Sequence, residues 1–525
     1  MAVNGNNRAE RLFPDEVGIS SRIKRLTERC RNAPLLLCRR HTILPSSASN
    51  LPHRPRFNPS PMSTSLDDTF AILREKIRGE LILPGSANYD EARTIWNAMI
   101  DKHPAAIVRC SGAADVVAAV NFARDAGMPL AVRGGGHNIA GKAMCDDGLV
   151  IDLSKMNTVR IDSLARRAFV GPGAKLADVD RETQAFGLAT PLGINSTTGI
   201  SGLTLGGGFG WLTTLYGMTV DNLVSARVVT AEGQILRASA NENSDLFWAL
   251  RGGGGNFGVV TEFEFKLHPV GPEVLAGLIV FPFSEAKTVL QKLRDFLESA
   301  PPNLNVWTVL RKAPPLPFLP ADIHGREIIV LAVFYSGDLK EGEKLIAPLR
   351  TFGTVCGERI GVQPYTAWQQ AFDPLLTPGA RNYWKSHNFS TLPDGVFDTV
   401  LEYASRLPSP HCEIFIGRLG GAAARIAPDA MAYGNRDANF VMNVHGRWET
   451  PQEDAGCIAW ARDFFHASAR YATGGVYVNF MTDDGTDRIA SAYGSNYARL
   501  AQIKAKYDAK NLFSVNQNVT PAKQA

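Results

Sequence analysis

Three runs of glycine are the residues whose type and spacing most clearly predict chemistry. They occupy 134–136, 206–208 and 252–255, each beside the predicted end of a strand or a helix. Because glycine has no Cβ and adopts positive φ readily, such loops let backbone N–H groups approach an anion closely. One run alone is typical of an ordinary turn. Three runs within about 120 residues favour a cradle for the phosphates of a nucleotide.

The motifs of two common nucleotide-binding classes are absent. The glycines do not follow the strand, GxGxxG, helix and acidic-residue order of a nicotinamide-binding unit. There is no GxxxxGK[ST] loop, and no kinase-type HRD or DFG motif accompanies the glycines. The sequence therefore disfavours both a nicotinamide-dependent dehydrogenase and a phosphoryl-transfer enzyme.

His137 directly follows the first glycine run, in the segment RGGGHN at 133–138. A histidine in a loop is, taken alone, more often a hydrogen-bonding or exposed residue. Its neighbourhood supplies no partners for a metal ion, so we predict no metal site.

Several ordered blocks nevertheless resemble the FAD-linked oxidases of the vanillyl-alcohol oxidase (PCMH-type) superfamily, in particular the berberine-bridge-enzyme-like group. The resemblance covers nearly everything from about residue 85 onward. It implies a flavoenzyme in which the matching histidine, His137, bonds through a ring nitrogen to the 8α-methyl carbon of FAD. The blocks are RGGGHN at 133–138, PLGINSTTGISGLTLGGGFGWL at 191–212, YGMTVDNL at 216–223, DLFWALRGGGGNFGVVT at 245–261, YVNF at 477–480 and NLFSVNQNVTP at 511–521.

The same resemblance assigns the remaining cofactor-binding positions one by one. The loop at 133–138 is expected to hold the FAD pyrophosphate, Val260 to touch the adenosine half, and Asn479 to fix the isoalloxazine. A stretch at 197–202 is expected to line the other side of the cofactor. The full expected set is Arg133, Gly134, Gly135, Gly136, His137, Asn138, Thr197, Thr198, Gly199, Ser201, Gly202, Val260 and Asn479.

Two positions depart from the family pattern. Members with two covalent flavin bonds carry a cysteine at the position that aligns with Asn195, so we expect a single, histidyl bond to FAD. Many members end the last motif with a tyrosine that takes the substrate proton, whereas this chain has Phe480. Tyr477, in the same motif, is the candidate for a catalytic hydroxyl, with a core role as the alternative.

Since Phe480 cannot accept a proton, a base must come from elsewhere. The later candidates are Tyr365, Tyr383, His387 and His445, which a sequence alone cannot place within the ~3 Å reach that a base requires. An amine substrate that reacts in its neutral form needs no strong base, and the missing tyrosine slightly favours such substrates. The aromatic residues of the same region suit a ring-bearing ligand but are equally typical of a core; they include Trp368, Trp384, Phe389 and Tyr433.

The leading interpretation is an oxidase that transfers hydride from a small organic substrate to covalently bound FAD, with O2 as the final acceptor. Alcohols, sugars, amines and polycyclic metabolites all stay open as substrates. Thr198 aligns with a position that controls oxygen access in this family, and it matches neither the residue that usually opens the oxygen pocket nor the one that closes it. A dehydrogenase with an acceptor other than O2 therefore stays an alternative. Phe480 leaves a catalytically idle flavin-binding protein as a second alternative.

Both helices and strands are predicted to position these residues. We predict a helix over 114–127, strands at 129–133 and 148–153, a helix over 176–186, a strand pair at 223–230 and 234–238, and, beyond residue 271, long strands alternating with amphipathic helices. This pattern, with the resemblance, predicts an α+β fold of two domains. A PCMH-type FAD-binding domain is expected at 66–270 and a substrate-binding domain of antiparallel sheet covered by helices at 271–470. Residues 471–525 are expected to return to the FAD domain, and 1–65 to be disordered or to precede the true start of the protein.

Composition excludes several other classes. The 525 residues, 45% hydrophobic and 20% charged, can fill more than one core, and a net charge of only +4 does not suggest a nucleic-acid partner. No apolar run approaches the ~20 residues of a membrane span. Seven scattered cysteines without CxxC spacing favour a reducing compartment. We therefore expect a cytoplasmic protein, or an organellar one if residues 1–61 are a transit segment.

Overall fold

The structure, a computed structural model, describes residues 66–483 and 488–523. The expectations for residues 1–65 lie outside this part of the chain. Residues 66–72 begin helix α1 (Leu66–Lys76), and the chain from Leu73 onward forms one compact unit.

Two small sheets form first along the chain. The first has the order β1-β2-β4-β3, in which β2 and β3 both pair in parallel with β4. The second is antiparallel, in the order β5-β6-β10-β8-β9. Their strands are β1 (Glu80–Ile82), β2 (Ala106–Arg109), β3 (Leu130–Arg133), β4 (Leu149–Asp152), β5 (Val159–Asp162), β6 (Arg167–Val170), β8 (Leu223–Val229), β9 (Ile235–Ser239) and β10 (Val259–Lys266).

Short helices connect these strands, and a two-stranded ribbon of β7 (Leu188–Ala189) and β11 (His268–Pro269) completes this half. The helices are α2 (Tyr89–Arg93), α3 (Ala113–Asp125), α4 (Leu176–Gln184), α5 (Ile200–Leu205), α6 (Thr213–Tyr216) and α7 (Ser244–Leu250). The predicted helices at 114–127 and 176–186 and the predicted strand pair at 223–238 are confirmed, with ends displaced by one or two residues. Gly127 has φ +62°, a left-handed conformation that suits glycine directly after a helix.

A seven-stranded antiparallel sheet occupies the second half, in the order β15-β12-β14-β13-β17-β18-β16. Its strands are β12 (Glu273–Pro282), β13 (Leu304–Lys312), β14 (Glu327–Tyr335), β15 (Gly357–Pro364), β16 (Arg381–Phe389), β17 (Glu413–Arg418) and β18 (Phe440–Trp448). The helices of this half and of the C-terminal segment are α8 (Ala286–Ser299), α9 (Leu339–Ile346), α10 (Tyr365–Gln369), α11 (Asp394–Ala404), α12 (Gly421–Ala424), α13 (Asp454–Ser468), α14 (Ile489–Tyr493) and α15 (Tyr497–Tyr507).

Helices α8, α11 and α13 cover one face of this sheet, where their apolar side chains form a continuous core with alternate strand residues. Since neighbouring side chains of a strand point to opposite faces, the intervening residues of the central strands must lie on the other face. The predicted α+β fold with a helix-covered antiparallel sheet is confirmed. The separate domain boundaries stay a prediction.

The C-terminal segment is fixed to the first half by a buried ion pair on α15. Lys504 Nζ donates to Asp508 Oδ2 (2.6 Å) and to the carbonyl oxygens of Asn256 (2.7 Å) and Phe513 (2.9 Å). Asp508 in turn accepts from the backbone N–H groups of Leu512 and Phe513. Every charge in this cluster is therefore satisfied without water.

No helix within residues 66–483 and 488–523 combines the length and the apolar character of a membrane span. The same residues contain no cluster of histidine, cysteine or acidic side chains able to hold a metal ion.

We expect Lys504→Met to lower the free energy of unfolding by about 3–5 kcal/mol, because it leaves Asp508 buried without its counter-ion. Lys506→Met is the matched control, since Lys506 pairs with Asp245 at the surface and exposed pairs contribute about 0–1 kcal/mol. Thermal and denaturant unfolding of the two variants would measure the difference. Equal losses in both would show that the buried cluster does not hold the C-terminal segment.

Candidate active site

A large cavity lies against the glycine loops, the C-terminal segment and the seven-stranded sheet. The loop after β3 contributes Gly134, Gly135 and Gly136, and the third glycine run contributes Gly254 and Gly255. Gly136 has φ +72°, a conformation that side-chain-bearing residues rarely adopt. Two of the three glycine runs therefore lie where a cradle was predicted.

The middle glycine run does not line this cavity, which corrects its expected place in the cradle. A Cβ on Gly206 would collide with the side-chain amide of Asn479, and Gly208 N–H donates to the Tyr477 hydroxyl (3.0 Å). This run is instead the surface on which the last motif packs.

The first glycine loop meets the 197–202 stretch through two glycines. A Cβ on Gly135 would collide with the backbone of Gly199, and a Cβ on Gly199 would collide with the backbone of Gly135. Since only glycine allows this approach, the two loops form one wall with exposed backbone groups. Such a wall fits the diphosphate and flexible chain of FAD, which needs neutral backbone donors and space more than lysine or arginine.

His137 lies in this wall between an aromatic ring and a hydroxyl. Its ring stacks on Trp96 at a centroid distance of 5.1 Å, and its Nε2 lies 3.0 Å from Thr197 Oγ1. Burial, assisted by the positive charge of Lys175, lowers the pKa of His137 to about 3. The imidazole is therefore neutral at physiological pH.

Hydrogen bonds define which nitrogen of His137 carries the proton. Asn195 Oδ1 accepts from Thr197 N–H (3.1 Å), which fixes the orientation of that amide, and it also accepts from the Thr197 hydroxyl (2.7 Å). Because the only hydroxyl proton of Thr197 goes to Asn195, Thr197 Oγ1 must accept from His137. The proton of His137 is thus on Nε2, and the lone pair is on Nδ1.

A row of four side chains crosses the cavity-facing side of the sheet. Strand register places Arg311 opposite Glu413, Glu413 opposite His445, and His445 opposite Trp384, on four adjacent strands. Arg311 Nη1 lies 2.8 Å from Glu413 Oε2, and His445 Nδ1 lies 3.2 Å from Glu413 Oε1. Glu413, His445 and Trp384 all line the cavity.

Electrostatics define the protonation states in this row. Burial would raise the pKa of Glu413, but Arg311, His445 and Arg447 outweigh it and hold that pKa at about 2. Burial lowers the pKa of His445 more strongly than Glu413 raises it. Glu413 is therefore ionised and accepts a hydrogen bond from the Nδ1–H group of a neutral His445. Nε2 of His445 has no partner among the residues that the structure describes, so its lone pair is free.

Aromatic rings connect the row to His137. Trp384 lies edge-on to Trp96 at 5.6 Å, and Trp96 stacks on His137. Phe480 packs edge-on against Trp384 at 5.5 Å and Phe415 at 6.0 Å. The two histidines thus face one cavity across an apolar, aromatic lining.

The Tyr477 hydroxyl accepts from Gly208 N–H and from Asn479 Nδ2 (3.1 Å), although its ring lines the cavity. Burial raises the pKa of Tyr477 to about 12. Tyr477 is therefore a neutral residue whose hydroxyl holds Asn479 in place. Its catalytic role stays a prediction.

The four other candidate bases lie in different environments. Only His445 lines the cavity; Tyr365 lies in the core, Tyr383 bonds to Arg462, and His387 bonds to the carbonyl of Phe465. Of the aromatic candidates, Trp384 lines the cavity, whereas Trp368, Phe389 and Tyr433 are buried elsewhere.

Eleven of the thirteen expected cofactor-binding residues line the cavity, and two do not. Arg133 does not line the cavity, and its guanidinium donates to the carbonyl of Ala92. Thr197 stands behind His137 instead of facing the cavity. The eleven are Gly134, Gly135, Gly136, His137, Asn138, Thr198, Gly199, Ser201, Gly202, Val260 and Asn479.

The sequence reasoning missed Glu413, Trp96 and Trp307, which also line the cavity. A signal existed for Glu413: it is a charged residue at the start of the apolar strand EIFIGR. A charged side chain within an apolar strand needs a partner, and Arg311 and His445 are partners that only the strand register reveals.

Fold and site together define a flavin-binding oxidoreductase. Residues 104–239 match the family described as FAD binding domain, and residues 476–520 match the family described as berberine and berberine like. An FAD-linked oxidoreductase of Dictyostelium discoideum is 31% identical over 85% of this chain and 96% of its own length. The (R)-6-hydroxynicotine oxidase of Paenarthrobacter nicotinovorans is 31% identical over 85% of this chain and 97% of its own length.

The fold agrees with a solved structure of a related class. Xylooligosaccharide oxidase from Myceliophthora thermophila superposes with a TM-score of 0.77 at 26% identity, covering 88% of this chain and all of that one. The chain belongs to the FAD-linked oxidoreductases of the berberine-bridge-enzyme-like group and binds FAD. Its relatives act on chemically different molecules, so membership leaves the substrate open.

We expect Gly199→Ala to reduce FAD content sharply and to lower the free energy of unfolding by about 1–3 kcal/mol, because the added methyl forces the two cradle loops apart. Gly456→Ala is the control: its Cβ would meet nothing within 4 Å, at an exposed position of helix α13. The ratio of flavin to protein absorbance and the melting temperature measure both effects. Full FAD content in Gly199→Ala would contradict the role of the glycine contact.

Proposed function

We propose that this protein is an oxidase that holds FAD by one covalent bond to His137 and removes hydride from a small, neutral substrate, with His445 as the base and O2 as the final electron acceptor. The observation that carries the proposal is the Glu413–His445 pair: His445 lines the same cavity as His137, and its Nε2 has no hydrogen-bond partner in the described chain.

The geometry of His137 supports Nδ1 as the atom that bonds the flavin. Nε2 donates to Thr197, while Nδ1 keeps its lone pair. With a pKa of about 3, His137 keeps that lone pair available at all physiological pH values. Asn195 supports a single covalent bond to the flavin. It stands at the position where bicovalent relatives carry the second attachment residue, and here its side chain accepts a hydrogen bond from Thr197 instead.

The Glu413–His445 pair supports the proposal for the base. FAD, when bound, supplies the hydride acceptor. Glu413 orients the His445 ring and stabilises the imidazolium that forms when Nε2 takes a proton from a substrate hydroxyl or amine. Trp384 and Phe480 exclude water around the ring, so the proton moves between substrate and histidine. This arrangement replaces the tyrosine hydroxyl that is missing at Phe480.

Two related oxidases support O2 as the acceptor, the (R)-6-hydroxynicotine oxidase and the xylooligosaccharide oxidase. Thr198 lines the cavity beside the first glycine loop, at the position expected to control oxygen access. Oxygen consumption and peroxide formation during turnover would support the oxidase. Turnover that requires a quinone or another artificial acceptor would identify a dehydrogenase.

We expect flavin to stay with the polypeptide after acid denaturation of the parent protein and to be released from His137→Ala. Thr197→Val is expected to retain part of the covalent flavin, because it removes only the group that orients the ring. In-gel flavin fluorescence and the absorbance of the precipitate measure this. Release of flavin from the folded parent would rule out the covalent bond and leave FAD bound non-covalently.

We expect His445→Asn to lower the rate of flavin reduction by about 10²–10⁴-fold while leaving the covalent flavin in place. Since the pKa of His445 is held below its usual value, the parent rate should not depend on pH above neutrality and should fall in acid as His445 is protonated. Glu413→Gln removes the group that raises this pKa, so its acidic limb should move to lower pH. Anaerobic stopped-flow bleaching of the flavin absorbance measures the rate of flavin reduction in the parent, in His445→Asn and in Glu413→Gln.

His387→Asn is the control, because His387 is a buried histidine remote from the cavity. A pH profile in which His445→Asn keeps the acidic limb of the parent would assign the proton transfer to another group.

A further inference from the structure

A second cavity adjoins the candidate active site on the same face of the seven-stranded sheet. Five residues belong to the walls of both cavities: Ile194, Trp307, Leu376, Glu413 and Phe415. Its floor is made by alternate residues of β12, β14 and β13, among them Val280, Val330 and Val309, which the strand register aligns. The floor therefore continues the surface that carries Glu413 and His445.

The roof of this second cavity is a proline-rich loop between β13 and β14. The segment PPLPFLP at 314–320 places Pro314, Leu316, Phe318 and Leu319 in the cavity wall. Four of its seven residues are prolines, which fix φ and remove conformational freedom before any ligand binds. A preformed apolar pocket of this kind loses little entropy when it takes up an apolar group.

The charged groups that line the second cavity are already satisfied by each other. Arg311 and Glu413 line it and lie 2.8 Å apart, so within the described residues neither a carboxylate nor a guanidinium stays free for a ligand here. The other lining side chains are apolar apart from the indole N–H groups of Trp211 and Trp307, both without acceptors in the described chain. A sugar would leave most of its hydroxyl groups unpaired in these walls, and an ammonium group would find no counter-ion.

We propose that this second cavity binds the apolar part of the substrate, while the oxidisable C–H lies beside His445. The substrate is then a neutral, ring-bearing alcohol or similar compound with an apolar arm, instead of an oligosaccharide or a cationic amine. Trp307 lines both cavities, and its indole N–H has no acceptor in the described chain. This inference deepens the proposed function and rests on it for the position of the reacting carbon.

Benzyl alcohols with para-alkyl chains of one to six carbons, and xylobiose as the sugar, are suitable probes for the FAD-loaded protein. Binding is followed by the perturbation of the flavin spectrum, and oxidation by anaerobic bleaching of the flavin. In the parent we expect the dissociation constant to fall by about fourfold for each added methylene until the cavity is full. We expect xylobiose to bind more weakly than every alkylated probe.

Two variants test the pocket itself. Val309→Trp fills the cavity floor, and Leu316→Asn places an unpaired amide in the roof. Both are expected to abolish the dependence of the dissociation constant on chain length while leaving the covalent flavin intact. The controls are Val362→Trp, half-exposed on the edge strand β15, and Leu164→Asn, which is exposed. Both controls should keep the dependence of the parent.

A dissociation constant independent of chain length in the parent would overturn the inference, and so would the same dependence in the parent and in both pocket variants. Tighter binding of xylobiose than of the longest alkyl probe would also overturn it. Chain-length dependence without any bleaching would support the pocket and contradict the assigned oxidation. Bleaching without chain-length dependence would support the oxidase and contradict the pocket.

Discussion

Strand alternation in the seven-stranded sheet is the constraint on which the rest of the site depends. Because neighbouring side chains point to opposite faces, burying one face under α8, α11 and α13 forces Arg311, Glu413 and His445 onto the other. A shift of one residue in β17 would place Glu413 in the helix-facing core without a partner. The ion pair with Arg311 and the hydrogen bond to His445 therefore also specify the register.

On the cofactor side of the cavity, the arrangement of the site depends on the contact between Gly135 and Gly199. It joins a loop that follows a parallel strand to a stretch more than sixty residues further along the chain. Thr197, just before Gly199 and bonded to Asn195, then reaches Nε2 of His137. Asn195, at the position where the resemblance places the second attachment residue of bicovalent relatives, thus acts through Thr197 on His137.

Much of the fold and of the cofactor-binding side of the cavity could be predicted from the sequence. The residues on the seven-stranded sheet could not, for physical reasons. The glycine loops and His137 are contiguous in sequence, so their motifs predicted the cradle, the cofactor and most of its lining. The proposed base is different: Glu413, which orients it, and Arg311 are 102 residues apart, and only the pairing of β13 with β17 brings them together. His445 could be named only as one of four candidates, because a sequence does not show which face of a strand a side chain takes. The surroundings of Tyr477 could not be predicted either, since its motif does not reveal that Gly208 N–H and the Asn479 amide both donate to its hydroxyl.

The replacement of a tyrosine by Phe480 is consistent with the rest of this site. The ring of Phe480 packs against the rings of Trp384, Phe415 and Phe209, so it adds to an apolar part of the cavity wall. Phenylalanine instead keeps the surroundings of His445 apolar, and burial is the main reason that this histidine stays neutral. The same aromatic lining continues through Trp384 and Trp96 to His137, whose pKa is lowered mainly by burial as well. The absence of a tyrosine hydroxyl and the neutral state of His445 are thus consistent with one property of the site: a cavity wall rich in aromatic rings, in which the carboxylate bonded to His445, that of Glu413, is paired with Arg311.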